Sequence, residues 1–499
     1  MSDPQIPRVL FVSSESRPFA STGGLADVSE ALPNTLNAMG VQVERIMPLY
    51  RRVWEGQSQH GYSLERTPHT LKIPPLMIPM GGEVIEAEMY SCRHMGTLTY
   101  FVGCEEYFDR LELYALPHRE YRDNFKRFLF FQKAVVALID GLGQPYDVLH
   151  LNDWQTGLIP LLLDKGLNGT GRARREKVLF TIHNLAYQGV YPAKNLYETN
   201  LPGNMLNRYP EIEFYGQINL MKAGLTGADR VNTVSPTYAN EVTTEAFGCG
   251  LDGVIRALPE PVVGIVNGVD VEAWNPETDK TLPVNYSKSK LANKEVCKQA
   301  LVEEFGLNYQ KDLPVFVLVG RLVDQKGLDV LAKAIEEMLA LPLQFLLLGS
   351  GQEKYHKLIL DWNQAWPEKF AGKIGYDSDL SHRMEAGGDF FLMPSAFEPC
   401  GLNQLYSLRY GTLPVVNKTG GLVDTVTDVR EHPESGTGFL MNAYTPEALL
   451  ACIRAALSLY HEKKELKRIQ VNGMKQDVTW TRTAERYLAL YQELTDSQE

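Results

Sequence analysis

Short apolar runs rich in β-branched residues alternate with stretches of helical periodicity along most of the chain. In the first half the runs are 9–12, 41–47, 148–151, 178–182 and 231–234. In the second half they are 262–266, 315–319, 345–348, 390–393 and 414–416. They are continuously apolar rather than alternating, the pattern of parallel strands buried on both faces. Leu328, Leu331, Ile335 and Met338 fall on one helical stripe. Thr445 is placed to cap a helix, with Pro446 at its first position and Leu449, Leu450, Ile453 and Leu457 on its inner face. The segment 70–100, richer in Met, Pro and alternating residues, reads as a β excursion within the first half. Repeated strand–helix units predict an α/β protein of doubly wound parallel sheets with right-handed crossovers. Ligands bind such sheets beyond the carboxyl ends of the strands.

The chain has 499 residues, too many for one core. The stretch Leu258-Pro259-Glu260-Pro261 reads as a linker, so one domain is expected over 1–260 and a second over 261–480. The last stretch, 481–499, is helical and carries Tyr487, Leu490 and Tyr491, a face expected to pack back towards the first domain. Apolar residues make up 44% and charged residues 22%, as in ordinary globular proteins. The net charge of −12 argues against nucleic acid or an anionic membrane as the main partner. No apolar run is long enough to span a bilayer, and no basic-then-apolar leader is visible before Arg8. A cytoplasmic protein is expected. Its six scattered cysteines, with no CxxC pair, read as reduced thiols rather than a zinc site.

One string occurs twice. Thr22-Gly23-Gly24-Leu25 and Thr419-Gly420-Gly421-Leu422 each follow an apolar run, open an apolar-periodic stretch and precede an Asp, Asp27 or Asp424. Adjacent glycines at a strand-to-helix turn let backbone N–H groups approach an anion, and a helix N-terminus adds partial positive charge. Two such loops suit a sugar diphosphate held between two α/β domains. Gly320-Arg321 to Lys326-Gly327 also follows a strand, and its two cations suit a diphosphate leaving group. In Pro394-Ser395-Ala396-Phe397-Glu398-Pro399-Cys400-Gly401-Leu402, Glu398 can accept from sugar hydroxyls while the Gly401 and Leu402 amides face phosphate. His150-Leu151-Asn152-Asp153-Trp154 and Thr181-Ile182-His183-Asn184 end two strands, where polar side chains can ring a sugar or simply satisfy the core. Tyr376, after Gly375, offers a ring for a base or for packing. Asp377 and Asp379 precede a helix and read as caps rather than metal ligands. Cys400, with no base identifiable nearby, reads as a packed or ligand-lining thiol.

Taken together, TGGLADV, HLNDWQTGLIP, TIHNLAYQGVYP, KAGLTGADRVNTVSPTYANEV, GIVNGVDVEAWNP, GRLVDQKGLD, PSAFEPCGLNQLYSLRYGTLPVV and KTGGLVDTV occur in order over nearly the whole chain. The chain resembles bacterial glycogen synthases and plant starch synthases, glycosyltransferase family 5. The resemblance implies the GT-B fold, two Rossmann-like domains with an interdomain cleft. It implies transfer of glucose, with retention, from a nucleotide-glucose donor, usually ADP-glucose, to the non-reducing end of an α-1,4-glucan. It implies no catalytic metal and no cofactor beyond the donor. Arg321 and Lys326 match the family's pair on the donor phosphates, and Glu398 its contact to the donor glucose. Cys400, Gly401 and Leu402 match positions around sugar and phosphate, Thr419, Gly420 and Gly421 the second glycine loop, and Gly375 and Tyr376 the place of the adenine. Asn152 falls close to the glucose. Glu15, Asp27 and His183 match polar residues on the acceptor side, and Asn267 lies at the hinge.

One position departs from the pattern. The family's first glycine loop is Lys-x-Gly-Gly-Leu, and here Ser21 stands where the Lys belongs, ahead of Gly23 and Gly24. Losing one charge-assisted hydrogen bond in a transition state costs about 1.5–3 kcal/mol, or roughly ten- to a hundredfold in rate. Arg17 is the nearest cation in sequence. The departure opens the alternative of a low-activity glucan-binding or regulatory homologue. Another GT-B enzyme, such as an α-glucan phosphorylase, is the second alternative.

Overall fold

The computed structural model describes residues 6–67, 75–116, 119–142, 145–167, 174–203 and 206–496. The chain divides into two compact units. One comprises Met1–Val234, Ala239–Ile265 and Trp480–Glu499, the other Ser235–Tyr238 and Val266–Thr479. No helix among the described residues is long and apolar enough to cross a membrane.

The N-terminal unit is built on a ten-stranded sheet among the described residues. Seven strands are parallel, in the spatial order Val263–Gly264, Arg230–Thr233, Lys177–Ile182, Val148–Asn152, Arg8–Val12, Gln42–Pro48 and Thr97–Gly103. Glu83–His94 adds antiparallel to the last of these, and Leu76–Met80 and Glu65–Arg66 pair with it. This is the β excursion, of which residues 70–74 lie outside the described residues. Val9, Leu10, Phe11 and Val12 are wholly buried, as an apolar run covered by helices on both faces requires. The strand expected over 262–266 is only Val263–Gly264. It pairs with Asn232 and Thr233, so it extends this sheet rather than opening the next one. The proline-rich stretch at 258–261 is thus a loop into an edge strand, and the units divide after Ile265. The helix Trp480–Asp496 lays Trp480, Ala484, Tyr487, Leu490, Tyr491 and Leu494 against Val28, Leu32 and Leu36 of the helix Gly24–Ala38.

The C-terminal unit has a six-stranded parallel sheet among the described residues. Its order is Phe370–Ile374, Gln344–Gly351, Val315–Leu322, Phe390–Met393, Leu413–Asn417 and Phe439–Met441. The helix Leu328–Ala340 buries Leu328, Leu331, Ile335 and Met338. The helix Pro446–His461 is capped by the Thr445 hydroxyl, which accepts from the Ala448 amide at 3.2 Å.

Among the parallel strands of each sheet the order reverses once, next to the first strand of each unit. The reversal falls between Arg8–Val12 and Val148–Asn152 in one sheet, and between Val315–Leu322 and Phe390–Met393 in the other. Loops leaving such a pair of strands diverge and open a crevice at the carboxyl edge. The chemistry-bearing motifs stand on these loops.

Candidate active site

In the C-terminal unit Arg321 stands near the end of the strand Val315–Leu322, Lys326 in the turn Asp324–Lys326 that follows, and Glu398 on the loop after Phe390–Met393. The Lys326 ammonium donates to Glu398 Oε2 at 2.6 Å, and the Ser395 hydroxyl donates to the same oxygen at 3.0 Å. Glu398 Oε1 accepts from no donor among the described residues. The two loops are stitched together by backbone. The Ala396 amide donates to the Gln325 carbonyl at 2.8 Å, and Gln325 Nε2 donates to the Phe397 carbonyl at 3.1 Å. Gly327 has φ +73, and a Cβ there would stand 1.8 Å from the Pro394 carbonyl oxygen, so the close approach requires glycine. Arg321 is exposed, and its guanidinium has no ion pair or hydrogen bond among the described residues. A strand-end cation with no partner among the described residues, and a paired one in the turn that follows, both at a strand-order reversal, suit a diphosphate.

The second glycine loop packs directly on this carboxylate segment. A Cβ at Gly420, where φ is +44, would lie 2.0 Å from the Glu398 carbonyl oxygen, and one at Gly421 would lie 2.2 Å from that of Cys400. The Gly421 amide donates to the Glu398 carbonyl at 3.0 Å, the Leu422 amide to Thr419 and the Thr419 amide to Asn417. These N–H groups are spent within the chain, so the loop shapes the Glu398 turn rather than offering a free cradle. The helix it opens, Gly420–Thr425, has only six residues. Beyond it, Asp428 draws the chain to the strand Phe439–Met441 by accepting from the Leu440 amide at 2.8 Å. The amides of Gly401 and Leu402, by contrast, donate to nothing among the described residues. Burial pushes the Cys400 thiol up to about 12, which makes it a packed group and not a nucleophile. The Asn267 main-chain amide donates to that sulfur, and the buried Asn267 Oδ1 has no partner among the described residues. Tyr376 is 83% exposed, on the loop after Phe370–Ile374, beside Gly375. Asp377 caps the helix Ser378–Gly387, accepting from the Leu380 amide at 2.8 Å, and Asp379 lies in its first turn.

In the N-terminal unit the glycine turn lies over Glu15. The buried carboxylate accepts from the Thr22 amide at 2.5 Å, the Thr22 hydroxyl at 2.7 Å and the Tyr114 hydroxyl at 2.6 Å. Burial raises the Glu15 carboxyl against the pull of these donors and of the Gly23 amide. The cradle expected to hold a ligand anion thus already holds a carboxylate of the chain. Gly23 is extended at φ −170, and a Cβ there would meet nothing within 4 Å. Nothing in the fold demands glycine at that position. Ser21 is half-buried, and Gly24 is exposed. Asp27, on the following helix, is paired with Arg17 at 2.6 Å. The cation nearest to Ser21 in sequence is therefore engaged.

Asn152 ends the strand Val148–Asn152. Its side chain is wholly buried, Nδ2 donates to the Val12 carbonyl at 2.9 Å, and Oδ1 lies 2.9 Å from His183 Nε2. Because Val12 fixes which end of the amide is which, the proton on His183 sits at Nε2, and Asn152 orients that imidazole. Burial pushes His183 down to about 3, so the ring is neutral at pH 7. His150 belongs to the core, with Nδ1 at 2.7 Å from the Tyr491 hydroxyl and Nε2 at 2.6 Å from the Thr181 hydroxyl. Asp153, read from the sequence only as one polar residue of its string, has a particular place. It sits at φ 57, a strained value for a non-glycine, and accepts from the His183 amide at 2.8 Å. Burial pushes its carboxyl up to about 7. Tyr114 was missed, since it is distant in sequence from any glycine motif, and Ser395, quoted within the Glu398 string, was given no role because it stands as an ordinary turn serine.

Residues 8–257 match the family described as starch synthase catalytic domain, and residues 302–476 match glycosyl transferases group 1. A glycogen synthase of Anaeromyxobacter sp. (strain Fw109-5) is 42% identical over 97% of this chain and 99% of its own length. The chain belongs to the glycogen and starch synthases. Glycogen synthase 2 of Geobacter sulfurreducens is 40% identical over 98% of this chain and 99% of that relative. Among solved structures, the catalytic domain of starch synthase IV from Arabidopsis thaliana, bound to ADP and acarbose, superposes with a TM-score of 0.87 at 29% identity. That match covers 99% of this chain and 100% of the other. The two doubly wound units are accordingly those of the GT-B fold. A sucrose-phosphate synthase from Thermosynechococcus elongatus shares the fold alone, at 18% identity and a TM-score of 0.60.

Proposed function

We propose that this glycogen synthase family member elongates an α-1,4-glucan by transferring glucose, with retention, from ADP-glucose to a non-reducing end. The observation that carries the reading is the group of charges at the C-terminal reversal point. Lys326 is held on Glu398 at 2.6 Å, and Arg321, near the end of the strand that leads into the Lys326 turn, is exposed with no ion pair among the described residues. In this reading Arg321 and Lys326 neutralise the diphosphate as its charge grows in the transition state. The free Gly401 and Leu402 amides reach a phosphate oxygen, and Tyr376 packs on the base. Glu398 Oε1 accepts from a glucose hydroxyl, and the orphaned Asn267 Oδ1 accepts from a hydroxyl of the same ligand. A buried acceptor without a donor costs about 1–3 kcal/mol, which such a ligand recovers.

Glu398 is already committed to a cation and a serine hydroxyl, so it binds rather than attacks. The departing diphosphate itself takes the proton from the acceptor hydroxyl, on the face it leaves. His183, neutral and held by Asn152, stands with Glu15 and Asp153 on the acceptor-side unit. The reading needs no metal, since the two cations carry the charge. Enzyme stripped with EDTA is expected to keep its rate, and a rate restored only by added Mg²⁺ would contradict this.

The deciding experiment is radiolabelled transfer from ADP-glucose and UDP-glucose to glycogen and to malto-oligosaccharides. Faster incorporation from ADP-glucose, into product released by α-1,4-specific digestion, is expected. Ser21, with Arg17 tied to Asp27, favours a second reading as a slow, glucan-binding homologue. Retained glucan binding with no incorporation from either donor would select it.

A further inference from the structure

Tyr187, Tyr197, Tyr215 and Tyr376 stand out from the surface, at 53%, 64%, 83% and 83% exposed. Tyr376 is accounted for above. Tyr197 has one face covered, since a Cβ at Gly81 would lie 2.8 Å from its ring. The remaining two share a foundation in the N-terminal unit.

Tyr215 and Gly216 form the two-residue turn of a hairpin in which Glu213 pairs with Ile218 and Phe214 with Gln217. Both turn residues have positive φ, 48 and 78. Such turns favour Asn or Asp at the first position, because a larger side chain there is strained. The chain puts a tyrosine there and anchors the turn firmly. The Gly216 amide donates to Glu213 Oε1 at 2.8 Å, the Lys222 ammonium donates to the Glu213 carbonyl at 2.6 Å, and the Phe214 ring meets Tyr215 edge-on at 4.8 Å. Backbone strain is accepted here to hold an aromatic ring out in water.

Tyr187 lies four residues after His183, on the loop into the strand Val190–Pro192, which pairs with Gln217–Asn219 of the same small sheet. Gln188 ties that loop down. Its Oε1 accepts from Asn219 Nδ2 at 2.7 Å, and its Nε2 donates to the Cys249 carbonyl at 2.9 Å. The Leu220 amide donates to the Gly189 carbonyl at 3.1 Å. The small sheet precedes the helix Leu220–Gly227, which runs back from the carboxyl edge of the parallel sheet. Both rings thus belong to the edge that carries His183.

A glucose unit presents a C–H face that seats on an aromatic ring, while its hydroxyls stay in water. We infer that Tyr187 and Tyr215 are stacking platforms for successive glucose units of the acceptor, upstream of the end that is extended, and that they set the preference for longer glucans. This rests on the glucan-elongation reading and adds to it where the acceptor's body lies.

The test compares Tyr187→Ala, Tyr215→Ala and the two Phe variants with the parent enzyme. The expected result is a KM for maltoheptaose raised about five- to tenfold by each Ala change, a smaller rise for maltotriose, and kcat and donor KM unchanged. Phe restores the parent value. An unchanged maltoheptaose KM, or a fall in kcat instead, overturns the inference. Tyrosine nitration of the parent enzyme, mapped by peptide mass, gives a readout independent of turnover. Maltoheptaose is expected to protect Tyr187 and Tyr215 but not Tyr197, and equal nitration with and without it also overturns the inference. A parent enzyme that transfers no glucose refutes the proposed function, and the nitration pattern still decides the platforms.

Discussion

Lys326 and Glu398 each limit what the other can do. Their 2.6 Å contact holds the ammonium at the end of its loop and gives a nearly buried carboxylate oxygen its donor. Lys326→Ala is expected to lower kcat about a hundred- to a thousandfold, the cost of one preorganised cation at a developing charge, with glucan affinity unchanged. Steady-state kinetics beside a glycogen co-sedimentation assay checks this, and a parallel loss of binding would contradict the role. Ser21 belongs to the same scale. Since Arg17 is committed to Asp27, no neighbour in sequence replaces the missing cation. Ser21→Lys should raise turnover about tenfold. An unchanged rate would show that this chain does not need that charge.

The two glycine loops look alike as strings and differ as elements. Gly420 and Gly421 lie against the carbonyls of Glu398 and Cys400 with no room for a methyl group, whereas Gly23 faces open space. Gly421→Ala should therefore destabilise the C-terminal unit and cut activity. Gly23→Ala should leave the melting temperature alone and raise only the KM of a ligand that passes over it. Thermal unfolding with kinetics on both variants separates the cases, and a destabilised Gly23→Ala would refute the contrast. The strand Val148–Asn152 and its neighbours carry the pH response. Burial holds His150 well below the ordinary histidine range and His183 at about 3. With depressed values in the fold, the unfolded chain takes up protons first. Stability is then full above the unfolded value near 6.5 and is lost as pH falls towards 3. Burial raises the Asp153 carboxyl to about 7, and its contribution runs the other way. The histidine share is therefore read as a difference: the melting-temperature advantage of the parent over His150→Gln should shrink between pH 7.5 and pH 5, and a constant difference would refute it.

At the scale of the whole molecule the last helix closes the core of the N-terminal unit, although it follows the entire C-terminal unit in sequence. Its six buried apolar side chains, from Trp480 to Leu494, bury enough surface to be worth roughly 10 kcal/mol, comparable to the stability of a domain. Truncation after Thr479 should unfold the N-terminal unit and leave the C-terminal one cooperative. Limited proteolysis with calorimetry reads this, and an unaffected N-terminal transition would refute it.

The doubly wound character of both units was legible in the chain itself, because strands covered on both faces must be apolar throughout, and runs such as 9–12 and 315–319 could be little else. Thr445 and Asp377 were readable as caps for the same reason, since a cap acts within four residues. What those runs did not carry was which polar groups end up together. Whether the amides at Thr22 and Gly421 are free depends on Glu15 and Glu398, and the lattice around Asn152 joins Val12, His183 and Asp153 from three strands. Hydrogen bonding is directional and short-ranged, so partners distant in the chain are chosen only when the sheet has set its order. The same holds for Val263–Gly264, whose two residues look like the start of a new domain until they are seen to pair with Asn232 and Thr233.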